Sequence, residues 1–263
     1  MSSLKLETRG PVAFVTLDNP TRCNALDRPC IASFQSALDA ARLPSSGARV
    51  LVLTGAGRVF CSGLDLMSLQ PTESGVSERE PGATRSQFES LIERISELRM
   101  PVIAAVNGAA VGAGMSLAVA CDIMIMAADA YLDPSFIRLG MVPDGGLTYH
   151  LPRRIGAARA ALSLMTGRRI DAATAVQWGL AMAAVPGESL LGEATTIAAE
   201  LASAPTTTLC LLRHALRDTF EHSLRQQVRE EMLAQRDALA SRDCREGIRA
   251  FFEKRPPKFN AIE

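Results

Sequence analysis

The chain has 263 residues, 48% hydrophobic and 21% charged, with 28 basic and 28 acidic side chains. A chain this long and apolar can bury a core without disulfide or metal staples, which excludes a disordered polymer. Zero formal net charge leaves no basic footprint and argues against nucleic acid as the main partner.

Six scattered cysteines without CxxC spacing, and only three histidines, make no zinc ligand set, so no metal is expected. Dispersed thiols, and a first ten residues too polar for an export signal, predict a cytoplasmic protein.

Residues 12–17 form an apolar, β-rich run stopped by Asp18, Asn19 and Pro20, and read as a strand and turn. Asp27 can cap a helix with Pro29 in its first turn, and Ile31, Phe34, Ala37 and Leu38 then recur at helical spacing. Residues 50–53, 102–106 and 123–126 read as further buried strands. Phe88, Leu91, Ile92, Ile95 and Leu98 mark one face of an amphipathic helix that ends before Pro101. Residues 68–84, polar with Pro71, Gly75, Pro81 and Gly82, read as a mobile loop beside the site, with a plain surface linker as the alternative. Trp178 and Gly179 read as a helix end and turn. After about residue 188 the strands stop, and helical patterns cover 194–202, 207–219, 224–239 and 242–252. Alternating strands and helices predict an α/β domain with much parallel pairing.

Residues 102–121 carry no formal charge and are long enough for a membrane span. Pro101, Asn107 and the glycines break the stretch, so it reads as a buried strand followed by a buried helix, with no membrane partner. The segment Leu51-Val-Leu-Thr-Gly55, leading to Ser62-Gly63-Leu64-Asp65, has an echo in Ala104-Ala-Val-Asn-Gly108, leading to Gly112-Ala113-Gly114. Each is a strand, a glycine turn and a glycine-flanked helix start. Two such ends facing one point would hold an anion on free backbone N–H groups. Neither is a GxGxxG or Walker loop, so nucleotide phosphate is not supported.

Asn24-Ala-Leu-Asp27, Gly57-Arg-Val-Phe-Cys-Ser-Gly-Leu-Asp-Leu66, Pro101-Val-Ile-Ala-Ala-Val-Asn-Gly108 with Val111-Gly-Ala-Gly114, Ala120-Cys-Asp-Ile123, Leu139-Gly-Met-Val-Pro-Asp-Gly-Gly146 and Phe251-Phe-Glu-Lys-Arg255 together resemble the enoyl-CoA hydratase/isomerase, or crotonase, family over nearly the whole chain. The resemblance implies an α/β spiral of ββα units in residues 1–190, and a helical C-terminal region in 191–263 that builds a homotrimer or homohexamer. It implies an acyl-CoA thioester substrate, coenzyme A being part of the substrate and no further cofactor being required. The enolate oxygen would be held by the backbone N–H groups of Leu64 and Ala113. Arg22, Cys23, Ala25, Asp65, Leu66 and Gly112 would line the acyl-CoA path, and Lys254 would reach a CoA phosphate.

Hydratases of this family use two glutamates, and the matching positions here are Ser116 and Phe136, which would then border the substrate without serving as carboxylate bases. Asp144 matches a carboxylate that moves protons in several isomerase and synthase branches. One carboxylate suffices to move a double bond: it takes a proton from one carbon and returns it to another. An enoyl-CoA isomerase is therefore expected, ahead of a hydratase or another lyase or synthase of the family. Asp133 is the second choice for the acid/base. Asp65 reads as fixing a loop, Asp122 as satisfying buried backbone donors, and Cys61 as packing rather than a nucleophile. Two readings lie outside that chemistry. Ser116, Asp144 and His150 stand in the order of a serine-hydrolase triad, and loss of both glutamates would also suit an acyl-CoA binding protein without turnover.

Overall fold

The computed structural model describes residues 3–72, 75–78 and 83–259. Strands β1 (Leu4–Arg9) and β2 (Val12–Leu17) pair antiparallel through a turn at Gly10. β1 lies in the segment read as merely polar, where only Leu4 and Leu6 alternate inward. Helix α1 (Arg28–Arg42) starts where expected: the Asp27 carboxylate accepts from the Cys30 N–H at 2.9 Å, and Ile31, Phe34, Ala37 and Leu38 are buried.

Three ββα units follow. The first is β3 (Val50–Gly55), β4 (Val59–Cys61), an antiparallel hairpin of β5 (Leu69–Thr72) and β6 (Gly75–Glu78), and α2 (Ala83–Ser96). The second is β7 (Val102–Val106), β8 (Ala109–Val111) and α3 (Ala113–Ala120). The third is β9 (Ile123–Ala127), β10 (Tyr131–Asp133) and, after a 3-10 turn at Ser135–Leu139, α4 (Leu147–Ile155). Then come α5 (Ala157–Thr166), β11 (Ile170–Asp171), α6 (Ala172–Gln177) and β12 (Ala183–Val185). Four helices close the chain: α7 (Leu190–Ser203), α8 (Thr206–Asp218), α9 (Leu224–Leu239) and α10 (Arg242–Glu253).

The first strands of the units pair in parallel within a six-stranded sheet ordered β1-β2-β3-β7-β9-β12, and the second strands in a four-stranded sheet ordered β11-β10-β8-β4. Each unit thus advances one strand along both sheets, the ββα spiral. β3 and β7 are buried at every position, as strands covered on both faces must be.

The uncharged stretch 102–121 is β7, β8 and the wholly buried α3. No described helix is long and apolar enough to cross a membrane. The loop read over 68–84 contains the β5–β6 hairpin instead; its residues 73–74 and 79–82 lie outside the described residues. Among the C-terminal helices, α7 lies across β2, β3, β7 and β9 and helps bury the large sheet. α8 is fastened by Arg213, which is buried. It donates to both Asp122 carboxylate oxygens at 2.7 and 2.9 Å and to the carbonyls of Ile95, Ser96 and Leu98. Asp122 also accepts from the Val102 N–H at 2.8 Å, the backbone role read for it.

Candidate active site

Register brings the two glycine-flanked turns together. Cys61 of β4 pairs with Ala110 of β8, and Leu64 and Ala113 each lie three residues further on. The amides around Leu64 are spent: Ser62 donates to the Cys23 carbonyl at 3.0 Å, Gly63 to the Cys61 sulfur at 3.4 Å, and Asp65 to the Leu26 carbonyl at 3.1 Å. The Leu64 N–H itself has no hydrogen-bond partner among the described residues. Neither does the Ala113 N–H, which opens α3 with no preceding turn to accept it. Gly63 makes the approach possible. Its φ is +96°, and a Cβ there would lie 2.8 Å from the Val111 carbonyl oxygen and 3.3 Å from the Ala113 nitrogen.

Leu64 and Ala113 line a narrow cavity of about 60 Å³ together with Asp65, Leu66, Gly112, Phe136 and Asp144. Two carboxylates therefore reach it. Asp65 is held: its side chain accepts from Arg22 at 2.6 Å and from the Met67 N–H at 3.1 Å. Asp144 sits on the loop before α4, half-buried, and also lines an adjoining cleft of about 640 Å³ with Phe88, Ile92 and Met141. Two contacts fix that loop. The Ser116 hydroxyl on α3 donates to the Asp144 carbonyl at 2.9 Å. Gly145, at φ +58°, is wedged so tightly that a Cβ would lie 2.6 Å from the Phe88 ring and 3.0 Å from the Ser116 Cβ.

A model of the enoyl-CoA hydratase/isomerase family matches residues 7–261. The chain is 38% identical to a probable enoyl-CoA hydratase of Rhodobacter capsulatus, over 98% of this chain and 97% of that one. It is 37% identical to the 1,2-epoxyphenylacetyl-CoA isomerase of Escherichia coli, over 94% of each. It superposes on a crystal structure of an enoyl-CoA hydratase from Bacillus anthracis with a TM-score of 0.91, at 32% identity over 99% of this chain and 100% of that one. The chain belongs to the enoyl-CoA hydratase/isomerase family.

Within this crotonase frame, the residues singled out by sequence fall into distinct places. Gly112, at φ 53°, precedes α3 and borders the cavity, as do Leu66 and Phe136; the Phe136 ring lies 3.8 Å from where a Gly112 Cβ would be. Ser116 is 0% exposed and stands behind the cavity wall rather than on it. Arg22, Cys23 and Ala25 are in the loop before α1, next to the cavity-lining Asp65 but not themselves in the wall. Arg22 reaches Asp65, the Cys23 carbonyl accepts from Ser62, and the Ala25 N–H donates to the Arg22 carbonyl at 3.1 Å. Lys254 is exposed at the end of α10, with φ 53°, and lines neither the cavity nor the cleft.

Asp133 is corrected as a candidate acid/base. Only 2% exposed, it is ion-paired to Arg169 at 2.7 Å and to Arg138, and it is absent from the cavity wall. The triad reading is corrected as well. The Ser116 hydroxyl is buried against backbone carbonyls, while His150 lines a different cavity, at the other end of α3. Burial pushes the Cys61 thiol up to about 12, which fits packing and not a nucleophile.

Sequence reasoning missed Thr84, Ser135, Leu139 and Met141 in the cavity wall, and Phe88, Glu89, Ile92 and Glu93 in the cleft. Leu139 and Met141 stood inside a quoted motif without a role. Phe88 and Ile92 carried only the signal of a core-facing helix stripe. It also passed over Asn24, which is buried and whose amide donates to the carbonyls of Ala56 and Val59 at 3.0 and 2.7 Å, pinning the Asn-Ala-Leu loop to the β3–β4 turn.

Proposed function

We propose that the chain moves a carbon–carbon double bond within an enoyl-CoA thioester. The observation that carries this reading is the shared cavity: Asp144 lines it beside the two open amides, where a carboxyl can move a proton, while Asp65 in the same wall pairs with Arg22. The thioester oxygen lies against the Leu64 and Ala113 N–H groups. Asp144 takes a proton from C2 of a 3-enoyl thioester, negative charge builds on the thioester oxygen, and the two N–H groups stabilise it. The same carboxyl returns the proton to C4 and yields the 2-enoyl thioester. Removing one such donor in an acyl-transfer enzyme costs about 10²–10³ in rate, which sets the scale for this pair.

Hydration needs a second base to position and deprotonate water. Ser116 and Phe136 supply none, which favours isomerisation even though a relative carries the name hydratase. The acyl tail continues past Asp144 into the cleft floored by Phe88 and Ile92. Arg22, Cys23, Ala25 and Leu66 flank the CoA path, Lys254 meets a CoA phosphate from a neighbouring copy, and no further cofactor takes part. In this reading residues 1–190 form the catalytic spiral and residues 191–263 the region through which copies assemble.

The test is Asp144→Ala assayed with 3-enoyl and 2-enoyl thioesters. Loss of about 10²–10⁴ in kcat for double-bond migration, with folding unchanged, is expected for removal of a general acid/base. Migration at the parent rate would remove the role. A 3-hydroxyacyl product from the parent protein would favour hydratase, and thioester binding with no product would favour a non-catalytic binder.

A further inference from the structure

A third cavity, of about 370 Å³, lies at the C-terminal end of α3, between α4 and α8, and shares no lining residue with the Asp144 cavity or the cleft. That volume falls within the range of small-molecule sites. Leu201, Leu209, Leu212, Leu216 and Phe220 supply an apolar wall. Four arginines also line it, Arg153 and Arg154 from α4 and Arg213 and Arg217 from α8. Three are paired with carboxylates: Arg213 with Asp122, Arg217 with Asp218 at 2.6 Å, and Arg153 with Glu221 at 2.8 Å.

Arg154 is the exception. Its one hydrogen bond among the described residues goes to the Cys121 carbonyl, and no carboxylate pairs with it. Burial lowers its pKa below the usual arginine value, the mark of a cation deprived of water, and the nearby Asp122 carboxylate, already paired with Arg213 in the same wall, only partly offsets this. Next to it, the Arg153 guanidinium is already fixed by Tyr149, whose ring it covers at 3.6 Å, and by Glu221, and its Nε is buried away from the cavity space. His150, also in the wall, adds no charge at neutral pH, because burial pulls it down to about 4. The cavity thus offers one guanidinium, that of Arg154, with no ion-pair partner and with unused N–H donors, beside an apolar wall.

We infer that this cavity binds a small monocarboxylic acid, its carboxylate on Arg154 and its hydrocarbon body against the leucines of α8. One spare charge suits a monoanion, guanidinium forks match the planar carboxylate, and the apolar wall disfavours a fully hydrated inorganic ion. The inference is independent of the reaction proposed for Asp144.

Isothermal titration of the full-length protein, in its own assembly state, tests it with hexanoate, 1-hexanol as the uncharged counterpart, and inorganic phosphate. Hexanoate is expected to bind once per chain, with hexanol and phosphate at least tenfold weaker. Arg154→Met should weaken hexanoate at least tenfold and leave thioester turnover unchanged. Leu216→Glu, at an exposed position, should block the site with a resident carboxylate, and it serves if the arginine variant fails to fold. Equal affinity for hexanoate and hexanol, hexanoate binding unaltered in the variant or variants that fold, or no hexanoate binding by the assembled protein would each overturn the inference; the last would mean that a neighbouring copy fills the cavity.

Discussion

Ser116 and Phe136, which the sequence motifs set at the positions expected for the family's glutamates, each serve another use in this structure. Phe136 is an apolar surface shared by the cavity and the cleft, and Ser116 is a strut under the Asp144 loop. Ser116→Ala removes the side-chain donor to the Asp144 carbonyl, which also accepts from the Leu147 N–H at 3.2 Å. A stability loss of about 1 kcal/mol is expected in urea denaturation, with kcat for double-bond migration falling while KM holds. His150 carries a pH signature. Burial first, then Arg154 and Arg153, lowers its pKa from 6.5 to about 4, so protonation favours the unfolded chain. Its contribution is complete above pH 6.5 and is lost as pH falls towards 4. His150→Gln should therefore lose less stability than the parent between pH 7 and pH 5, read from urea midpoints at the two values. At this scale the sequence motifs point to Leu64, Ala113 and Asp144. They give no hint of Glu89 or Glu93, because nothing in a core-type helix stripe says that its edge borders the cleft beside Asp144.

At the scale of elements, the loop between the 3-10 turn and α4 determines where Asp144 sits, and Gly145 determines the loop. Gly145→Ala would meet both a left-handed backbone and the Phe88 ring. About 2 kcal/mol of destabilisation is expected, together with a fall in kcat exceeding that of Asp144-independent thioester binding; calorimetric binding of an acyl-CoA alongside turnover would measure the split. The long buried strands β3, β7 and β9 were legible as unbroken apolar runs, and α1 from its cap and stripe. β4, β8 and β10 were not, since three residues carry no periodicity. Those short strands set the register that juxtaposes Leu64 and Ala113, so the second sheet was the part of the fold that residue patterns could not supply. α4 was hidden for another reason: Pro152 lies inside it.

Over the whole molecule, α9 and α10 display apolar side chains that the spiral does not cover, with Phe251 78% and Phe252 77% exposed and Leu224 and Met232 also open. Exposed apolar side chains of this kind suit burial against other copies. Replacing both phenylalanines with aspartate is expected to shift a trimer or hexamer towards monomer in light scattering, while a parent protein that is itself monomeric would remove the assembly proposed for residues 191–263. The central claim is that two backbone amides and one carboxylate relocate hydrogen without adding water. Mass analysis of the product formed from a 3-enoyl thioester in ¹⁸O-labelled water tests it most directly. The expected product is a 2-enoyl thioester of unchanged mass, free of label, whose formation collapses in Asp144→Asn; a product heavier by one labelled water, or one formed equally fast by the variant, would contradict it.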